Sequence, residues 1–521
     1  MKSVKTQANF LLKVLLFLFV TGCGHQQADN AEQVRKPNIL IIYVDDLGYA
    51  DVGAYGAVGV STPNVDRLAD RGMKFTDGHC SAATCTPSRY SLLTGSYAFR
   101  NNAAILAGDA PLIIGENTRT LGDMLKEAGY RTGVVGKWHL GLGDGSVDWN
   151  EAITPGPLER GFDYSFLIPA TGDRVPCVYV ENHHVVGLDR NDPITVSYKK
   201  PVNDEPTGMS HPEMLKQLAD KQHSNTIVDS ISRIGYMTGG KAALWKDEEF
   251  PDVLTAKARQ FMAENKDNPF FLFFSFHDIH VPRMPNKRFV GQSAMGPRGD
   301  AIVQMDWVTG QLVETLEQLG LAENTLIIFT SDNGPVLNDG YEDEAVELLG
   351  AHVPAGPFRG SKYSAYEAGT RVPTIACWPE MITPGESNAL VSQIDLFASL
   401  ARLTGVKLAG SDAPDSHDML ETWLGRSDSG REYLIEEALT LSLRHREWKY
   451  IRSAPSVRDW TKYKGVESGV SEVAQLFNLH EDIAEQNNLA GEKEDRVMQM
   501  DAILEAMIAA KGTRPGYGQE Y

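Results

Sequence analysis

Cysteine is scarce, with five in 521 residues. Cys23 and Cys85 each sit in a motif of their own, which leaves Cys80, Cys177 and Cys377, and three thiols cannot all pair, so no disulfide framework is implied. Long apolar runs are also missing. The one at the extreme N-terminus is too short to span as a mature helix, and no other stretch is long enough to cross a bilayer. Basic residues are outnumbered, 49 Lys+Arg against 69 Asp+Glu for a formal charge of −20, which argues against nucleic acid as a partner because counterion release needs a basic face. No repeat and no low-complexity tract interrupts the chain. What is present, 42% hydrophobic and 23% charged residues, is ordinary for a folded globular protein, and the length suits a large α/β domain with a smaller companion.

The first residues carry Lys2, Lys5 and Lys13, then the apolar run Val14 to Val20, then Thr21-Gly22-Cys23. This is the order of a signal peptide, and Val20-Thr21-Gly22-Cys23 resembles a bacterial lipobox, in which the Cys carries a lipid anchor. The expectation is a lipoprotein signal over residues 1–22, a polar tether over 23–36, and an exported protein held by lipid in a bacterial cell envelope.

Ile39 to Val44 is a continuous β-branched run, as expected of a strand buried on both faces, and it ends in Asp45-Asp46. Tyr130 to Val135, Pro269 to Phe276, Thr325 to Thr330 and Val372 to Trp378 read as further strands. Helices are expected over Thr62 to Arg71, from Thr120 to Gly129, and over Asp252 to Glu264, Asp300 to Leu319 and Gln393 to Leu403. Strands alternating with helices predict an α/β fold, a large mostly parallel sheet with helices on both faces, whose ligands bind beyond the carboxyl ends of the strands. Residues 170–210, rich in Pro, Gly, Asp and His, read as loops over one face. A soft boundary near Gly425 to Gly430 separates a catalytic domain (37–426) from a C-terminal subdomain (427–521), where Tyr433 to Glu436, Trp448 to Arg452 and Gln475 to Leu479 read as strands and Lys493 to Ala510 as a helix.

The most informative stretch is Cys85-Thr86-Pro87-Ser88-Arg89, followed by Ser91-Leu92-Leu93-Thr94-Gly95. Seen alone, a Cys before Pro and Arg is equally a buried structural thiol at a helix start. The run resembles the signature of the type I sulfatases, in which the Cys of a C-x-P-x-R motif is oxidised to formylglycine, and the resemblance extends from about Pro37 to the C-terminus. Gly136 to Gly141 resembles the family's G-K-W-H-L-G run, Phe276 to Pro282 its His-x-Pro segment, and Arg359-Gly360-Ser361-Lys362 with Tyr366-Glu367 its R-G-x-K and Y-E-x-G motifs. It implies an alkaline-phosphatase-like fold and a formylglycine-generating maturase as a partner during biosynthesis. The segment from Thr171-Gly172-Asp173-Arg174 through Tyr198 looks like that of bacterial glycan-degrading sulfatases, which points to a sulfated carbohydrate, of algal polysaccharide or glycosaminoglycan, as substrate.

Two acidic pairs at strand ends, Asp45-Asp46 and Asp332-Asn333, offer only oxygen, the preference of a hard cation, and the resemblance also implies Ca²⁺, with Cys85 completing the metal set. A sulfate ester also needs cations around its oxygens and a proton donor, and Arg89, Lys137, His139, His280 and Lys362 supply these types. On the family's pattern Arg89 holds the formylglycine hydrate, Lys137 and Lys362 neutralise sulfate oxygens, His280 protonates the departing alcohol and His139 assists the second hydroxyl. His277 admits three readings: a second substrate contact, a hydrogen-bonded core histidine, or an orienter of Asp278. His183, His184 and His211 read as surface residues, and zinc at His79, Cys80 and Cys85 is rejected because no further ligands follow at zinc spacing. The rival functions are a phosphate or phosphonate ester hydrolase on the same scaffold and a non-catalytic binder of sulfated glycans.

Overall fold

In the computed structural model the described residues are 36–518, save 458, 460, 462 and 463; the signal peptide, lipobox and most of the tether lie outside them. The core is a ten-stranded sheet. Its main strands are β1 (Asn38–Val44), β2 (Met73–Phe75), β3 (Arg131–Lys137), β4 (Tyr164–Ile168), β5 (Phe270–Ser275), β6 (Thr325–Ser331) and β7 (Thr374–Cys377). The order β6-β1-β5-β3-β4 is parallel throughout, and β7 joins β6 antiparallel, followed by β2 and an edge strand over Gly385–Ser387. On the other edge β4 pairs with a hairpin of Val180–Glu181 and His184–Val185, so the expected loop region carries short strands.

The central strands are buried along their whole length, which is why β1 reads NILIIYV and β5 FFLFFS with no polar alternation. Helices α1 (Pro63–Asp70), α2 (Cys85–Thr94), α3 (Leu121–Glu127), α4 (Phe250–Glu264), α5 (Gly296–Gln318) and α6 (Leu396–Thr404) accompany the sheet. Thr120 caps α3 in a reciprocal box with Asp123, satisfying two backbone donors at the helix start. The predicted helix from Gln393 opens instead with a 3₁₀ turn, Gln393–Asp395, before α6.

Register fixes where the chemistry sits. Val44 of β1 stands beside Ser331 of β6, and Tyr43 beside Ser275 of β5, which in turn faces Gly136 of β3. Four carboxyl ends are therefore level, and the residues that follow them meet along one row. Gly136 is required for this: a Cβ there would lie 1.8 Å from the Ser275 carbonyl oxygen.

The C-terminal subdomain is an antiparallel sheet of β8 (Leu434–Glu437), β9 (Leu441–His445), β10 (Trp448–Ile451) and β11 (Gln475–Asn478) with helix α7 (Glu494–Ala509). Its core of Leu434, Ile435, Leu443, Tyr450, Leu476, Met500 and Leu504 also takes in Tyr97 and Ile394 from outside the sheet. The cysteines Cys80, Cys85, Cys177 and Cys377 are all free thiols.

Buried charges fasten this sheet to the rest. Glu367 accepts from Arg444 at 2.6 Å and Lys449 at 3.1 Å, while Lys449 also reaches Glu436 at 2.7 Å. Burial alone would raise the Glu367 carboxyl, but Arg444 and Lys449 outweigh it and hold its pKa below the usual carboxylate range. A depressed folded pKa means that this stabilisation is present above the unfolded value, about 4.3, and is lost as pH falls from there toward the folded value. Glu367→Gln should cost about 3 kcal/mol at neutral pH by removing the buried carboxylate that Arg444 and Lys449 share, leaving each with a single acidic partner, Asp77 and Glu436 respectively. Denaturant titrations at pH 7.5 and 4 should show the variant's deficit shrinking toward acid; a deficit independent of pH would contradict this account.

Candidate active site

The level strand ends place Asp45 and Asp46 after β1, Asp332 and Asn333 after β6, Lys137 at the end of β3 with His139 two residues on, and His277 to His280 after β5. Cys85 opens α2, and Arg89 follows at i+4, one turn along the same face. All ten residues of this helix are buried, so the signature sequence is spent on a helix with no exposed side. Lys362 arrives from a different segment, its backbone N–H donating to the Pro335 carbonyl at 2.8 Å.

These side chains form one buried cluster. Arg89 donates to Asp332 Oδ2 from Nε at 3.0 Å and Nη2 at 2.7 Å, and its other amino group reaches the Lys137 carbonyl at 3.1 Å and the Ser275 hydroxyl. Lys137 Nζ donates to Asp45. Lys362 Nζ lies 2.8 Å from Asp46 Oδ1 and 3.0 Å from Asp339 Oδ2. Asn333 Nδ2 donates to Asp46 Oδ1 at 2.7 Å, and the Asp46 amide donates to Asp332 Oδ1 at 3.2 Å. Asp46, His139 and Tyr363 adopt φ of 61°, 53° and 73°, the left-handed region that side-chain-bearing residues rarely enter and that clusters at functional sites.

Burial, and then the charge of Asp332, raises Asp45 well above the carboxylate range, and burial raises Asp46. For Asp332 burial is outweighed by Arg89 and Lys137, so its pKa is lowered. Burial would also neutralise Lys362, yet Asp339 and Asp46 hold it as an ammonium. His139 and His280 are both kept neutral, first by burial and then by cations, Lys137 for the former and Lys362 with Lys137 for the latter.

Two buried acceptors in this cluster, Asp45 Oδ1 and Asn333 Oδ1, have no donor among the described residues. A buried oxygen left without a partner costs free energy, and a hard cation coordinated by oxygen would satisfy both. Asp45, Asp46 and His280 each present a ligand atom within 4.8 Å of the others. The acidic pairs thus fit a hard cation. A second such group, Asp77, His79 and Glu367, is already neutralised by Arg371, Arg444 and Lys449.

Above the cluster opens a cavity of about 530 Å³ whose wall includes Cys85, His280 and Lys362. Cys85 Sγ lies 3.3 Å from His139 Nδ1, and His139 Nε2 lies 3.0 Å from the Leu106 carbonyl, which makes Nε2 the protonated nitrogen and turns the Nδ1 lone pair toward Cys85. His280 Nδ1 is likewise occupied by the Val281 carbonyl at 2.7 Å, leaving Nε2 on the side of Asp46, 3.8 Å away. His277 sits behind His280, the two rings meeting edge to face at 6.0 Å between centroids. Its ring packs against Phe250 and over Gly172 and is not part of the cavity wall, while Asp278 is bonded to Gln304. His183, His184 and His211 lie outside the site.

Sequence reasoning did not single out Asp173, Arg174, Tyr198, His223, Asp339 and Lys464, all on the cavity wall. Asp173 pairs with Arg174 at 2.7 Å and lies 3.4 Å from His223 Nε2, whose other nitrogen meets Asp220 at 2.7 Å. Flanked so, His223 has its pKa raised although burial opposes this. The only signal for any of them was the Thr171 to Tyr198 segment.

The family model described as Sulfatase matches residues 37–406. The chain belongs to the sulfatase family. This sulfatase is 51% identical to N-acetylgalactosamine-6-O-sulfatase of Bacteroides thetaiotaomicron over 94% of its own length and 96% of that protein. It is 32% identical to human arylsulfatase A, over 77% of this chain and 70% of the relative. A solved structure from Bacteroides thetaiotaomicron, concerned with the metabolism of multiple glycosaminoglycans, superposes with a TM-score of 0.89 at 51% identity, covering 91% of this chain and all of the other. The sulfatase is thus a sulfuric ester hydrolase on a large mixed, mostly parallel sheet with a small C-terminal antiparallel subdomain, as its sequence led us to expect.

Arg89 is the residue on which the cluster converges, and a lysine cannot replace its fork. Arg89→Lys should lower turnover by at least about 10²-fold, the scale of losing one preorganised donor. Steady-state rates on an aryl sulfate decide it, and near-normal turnover would remove Arg89 from the site.

Proposed function

We propose that this sulfatase removes the 6-O-sulfate of N-acetylgalactosamine in glycosaminoglycan-derived sugars, releasing alcohol and sulfate. The observation that carries the reading is 51% identity, over nearly the full length of both chains, to a relative with that specificity. In this reading Cys85 is converted to formylglycine by a maturase, and Asp45, Asp46, Asp332 and Asn333, together with the converted Cys85, would hold Ca²⁺. The hydrated aldehyde would supply two hydroxyls on one carbon, one as the nucleophile toward sulfur and one whose collapse to the carbonyl would release sulfate, and a cation held by these oxygens would supply charge stabilisation to the nucleophilic oxygen.

The chain's own groups do the rest. Arg89 anchors the end of the site through Asp332, and Lys137 and Lys362 present ammonium groups to the sulfate oxygens. His139, neutral with its Nδ1 lone pair toward residue 85, accepts the proton of the second hydroxyl. His280 lines the cavity, and with Nδ1 taken by the Val281 carbonyl its Nε2 is the nitrogen that serves the departing oxygen as proton donor. His277 has no role in this scheme. We further infer that the enzyme is exported and held by lipid at Cys23 in a bacterial cell envelope, where glycan fragments are met.

The test is a panel of 6-O-sulfated N-acetylgalactosamine, its gluco epimer and the 4-O-sulfated isomer, with enzyme co-produced with a maturase. The 6-O-sulfated galacto sugar should be preferred by at least about tenfold, the discrimination expected when a built hydrogen-bonding site is offered the wrong epimer. Cys85→Ala should melt as the parent and show no turnover, and peptide mass analysis of the parent should find an aldehyde at residue 85. Preference for another sugar would overturn the substrate assignment alone, whereas full activity of Cys85→Ala would overturn the mechanism.

Metal dependence separates in the same way. Chelation should abolish turnover and added Ca²⁺ restore it, with a rise in melting temperature on Ca²⁺ addition that Asp332→Ala lacks. Restoration by Zn²⁺ alone would contradict an oxygen-only site.

A further inference from the structure

His223 faces a carboxylate at each ring nitrogen. Nδ1 lies 2.7 Å from Asp220 Oδ1 and Nε2 lies 3.4 Å from Asp173 Oδ2, in a residue that is only 4% exposed. A neutral imidazole has one N–H, so one of its nitrogens would turn a lone pair on a carboxylate oxygen, whereas an imidazolium donates to both. The ring is held in this place. A Cβ on Gly340 would come within 2.3 Å of Nδ1, the Tyr341 ring centroid lies 4.9 Å from that of His223, and the His223 amide is itself bonded to Asp220 Oδ1 at 3.0 Å. The charged and titratable groups around it are Asp173 and Asp220, with Tyr341 against the ring, Arg174 and His280 near Asp173, and Lys464 near Asp220.

Asp173 carries this arrangement to the cavity. Both of its oxygens accept from Arg174 Nη1, at 2.8 and 2.7 Å, it also takes the Thr171 hydroxyl, and the Ile234 amide donates to its main-chain carbonyl at 2.8 Å. Arg174 and His223 thus share one buried carboxylate, and both stand with Cys85 on the wall that receives the ester.

We propose that His223 is a positioning residue for substrate: it holds Asp173, and Asp173 holds Arg174, where the guanidinium meets oxygens of the incoming sulfate ester. The inference rests on the sulfatase activity and not on which sugar bears the sulfate. Burial would raise the Asp173 carboxyl, yet Arg174 and the His223 hydrogen bond outweigh it and hold it well below the carboxylate range. Once His223 is uncharged, Asp173 leans more heavily on Arg174, and carboxylate and ester then compete for the same guanidinium.

Affinity across pH, in protein that cannot turn substrate over, tests this. In the Cys85→Ala background the dissociation constant of the sulfate ester that the parent hydrolyses best is measured by calorimetry from about pH 5.5 to about pH 9, either side of the ordinary imidazole range. Burial opposes charge on His223, but Asp173 and Asp220 outweigh it and raise its pKa, so the proton is present at the acid end and is lost as pH rises through the raised value. Adding His223→Gln should weaken binding by about tenfold at the acid end, the lower range for losing a hydrogen bond to a charged group, and the gap to the background should close toward the alkaline end. Asp220→Asn keeps the acceptor and removes its charge, so the alkaline loss of affinity should begin at a lower pH. In the converted enzyme His223→Gln should act on KM more than on kcat. A sugar assignment that proves wrong changes the compound used and leaves the comparison intact. A gap of equal size at every pH, no weakening by His223→Gln, or no shift with Asp220→Asn would each overturn the proposal, and if His223→Gln does not fold, the Asp220→Asn shift decides it.

Discussion

Three carboxylates, Asp45, Asp46 and Asp332, are buried within one hydrogen-bonded cluster, where they lose hydration and repel one another, and the rest of the site follows from how that charge is met. Lys137, Lys362 and Arg89 each take one of them, and all three cations are buried, with Lys362 at the cavity wall. The pairing does not satisfy every lone pair: Asp45 Oδ1 and Asn333 Oδ1 remain without donors among the described residues. A site composed this way holds oxygen ligands and anion-binding cations in the same few ångströms. That is the requirement for a sulfate ester, whose attacking oxygen needs a positive centre on one side and whose spectator oxygens need donors on the other.

The strand register makes that cluster possible. If β6 were shifted by one residue against β1, Asp332 and Asn333 would exchange faces and the Arg89 fork would find no carboxylate. The level ends also explain why the acidic pairs were legible in the sequence: a continuous apolar run stopped by Asp-Asp or Asp-Asn marks the carboxyl end of a buried strand. The same reasoning could not tell that β7 runs antiparallel, because Thr374–Cys377 is buried on both faces whichever way it points.

Other residues were illegible for physical reasons. Strand β9 reads LSLRH, and Arg444 within it suggests an exposed position, yet its guanidinium is buried against Glu367 and Asp77. Asp173, His223 and Asp339 stand in irregular segments, where no period or motif distinguishes a wall residue from a solvated one. His277 allowed three readings because its position three before His280 says nothing about which way its ring turns. In the fold that ring packs over Gly172, where a Cβ would come within 2.2 Å of it. Asp278, next to it, is instead held by Gln304.

The C-terminal sheet is more than an appendage to this arrangement. The Glu437 amide donates to the Ser81 carbonyl at 2.9 Å and the Ala83 amide to the Glu437 carbonyl at 2.7 Å, so the residues just before Cys85 are pinned to the end of β8 by a single parallel bridge at Ala82. The Tyr363 amide closes the other side, donating to the Ala83 carbonyl at 2.8 Å, and so ties the segment that carries Lys362 to the segment that carries Cys85. Helix α2 is consequently aimed by its N-terminal neighbours rather than by exposed polar residues of its own, of which it has none. Glu367, a few residues beyond Lys362, is clamped from the same sheet by Arg444 and Lys449. Cys85 and Lys362 are thus referenced to one four-stranded frame, and loosening that frame disturbs both positions together.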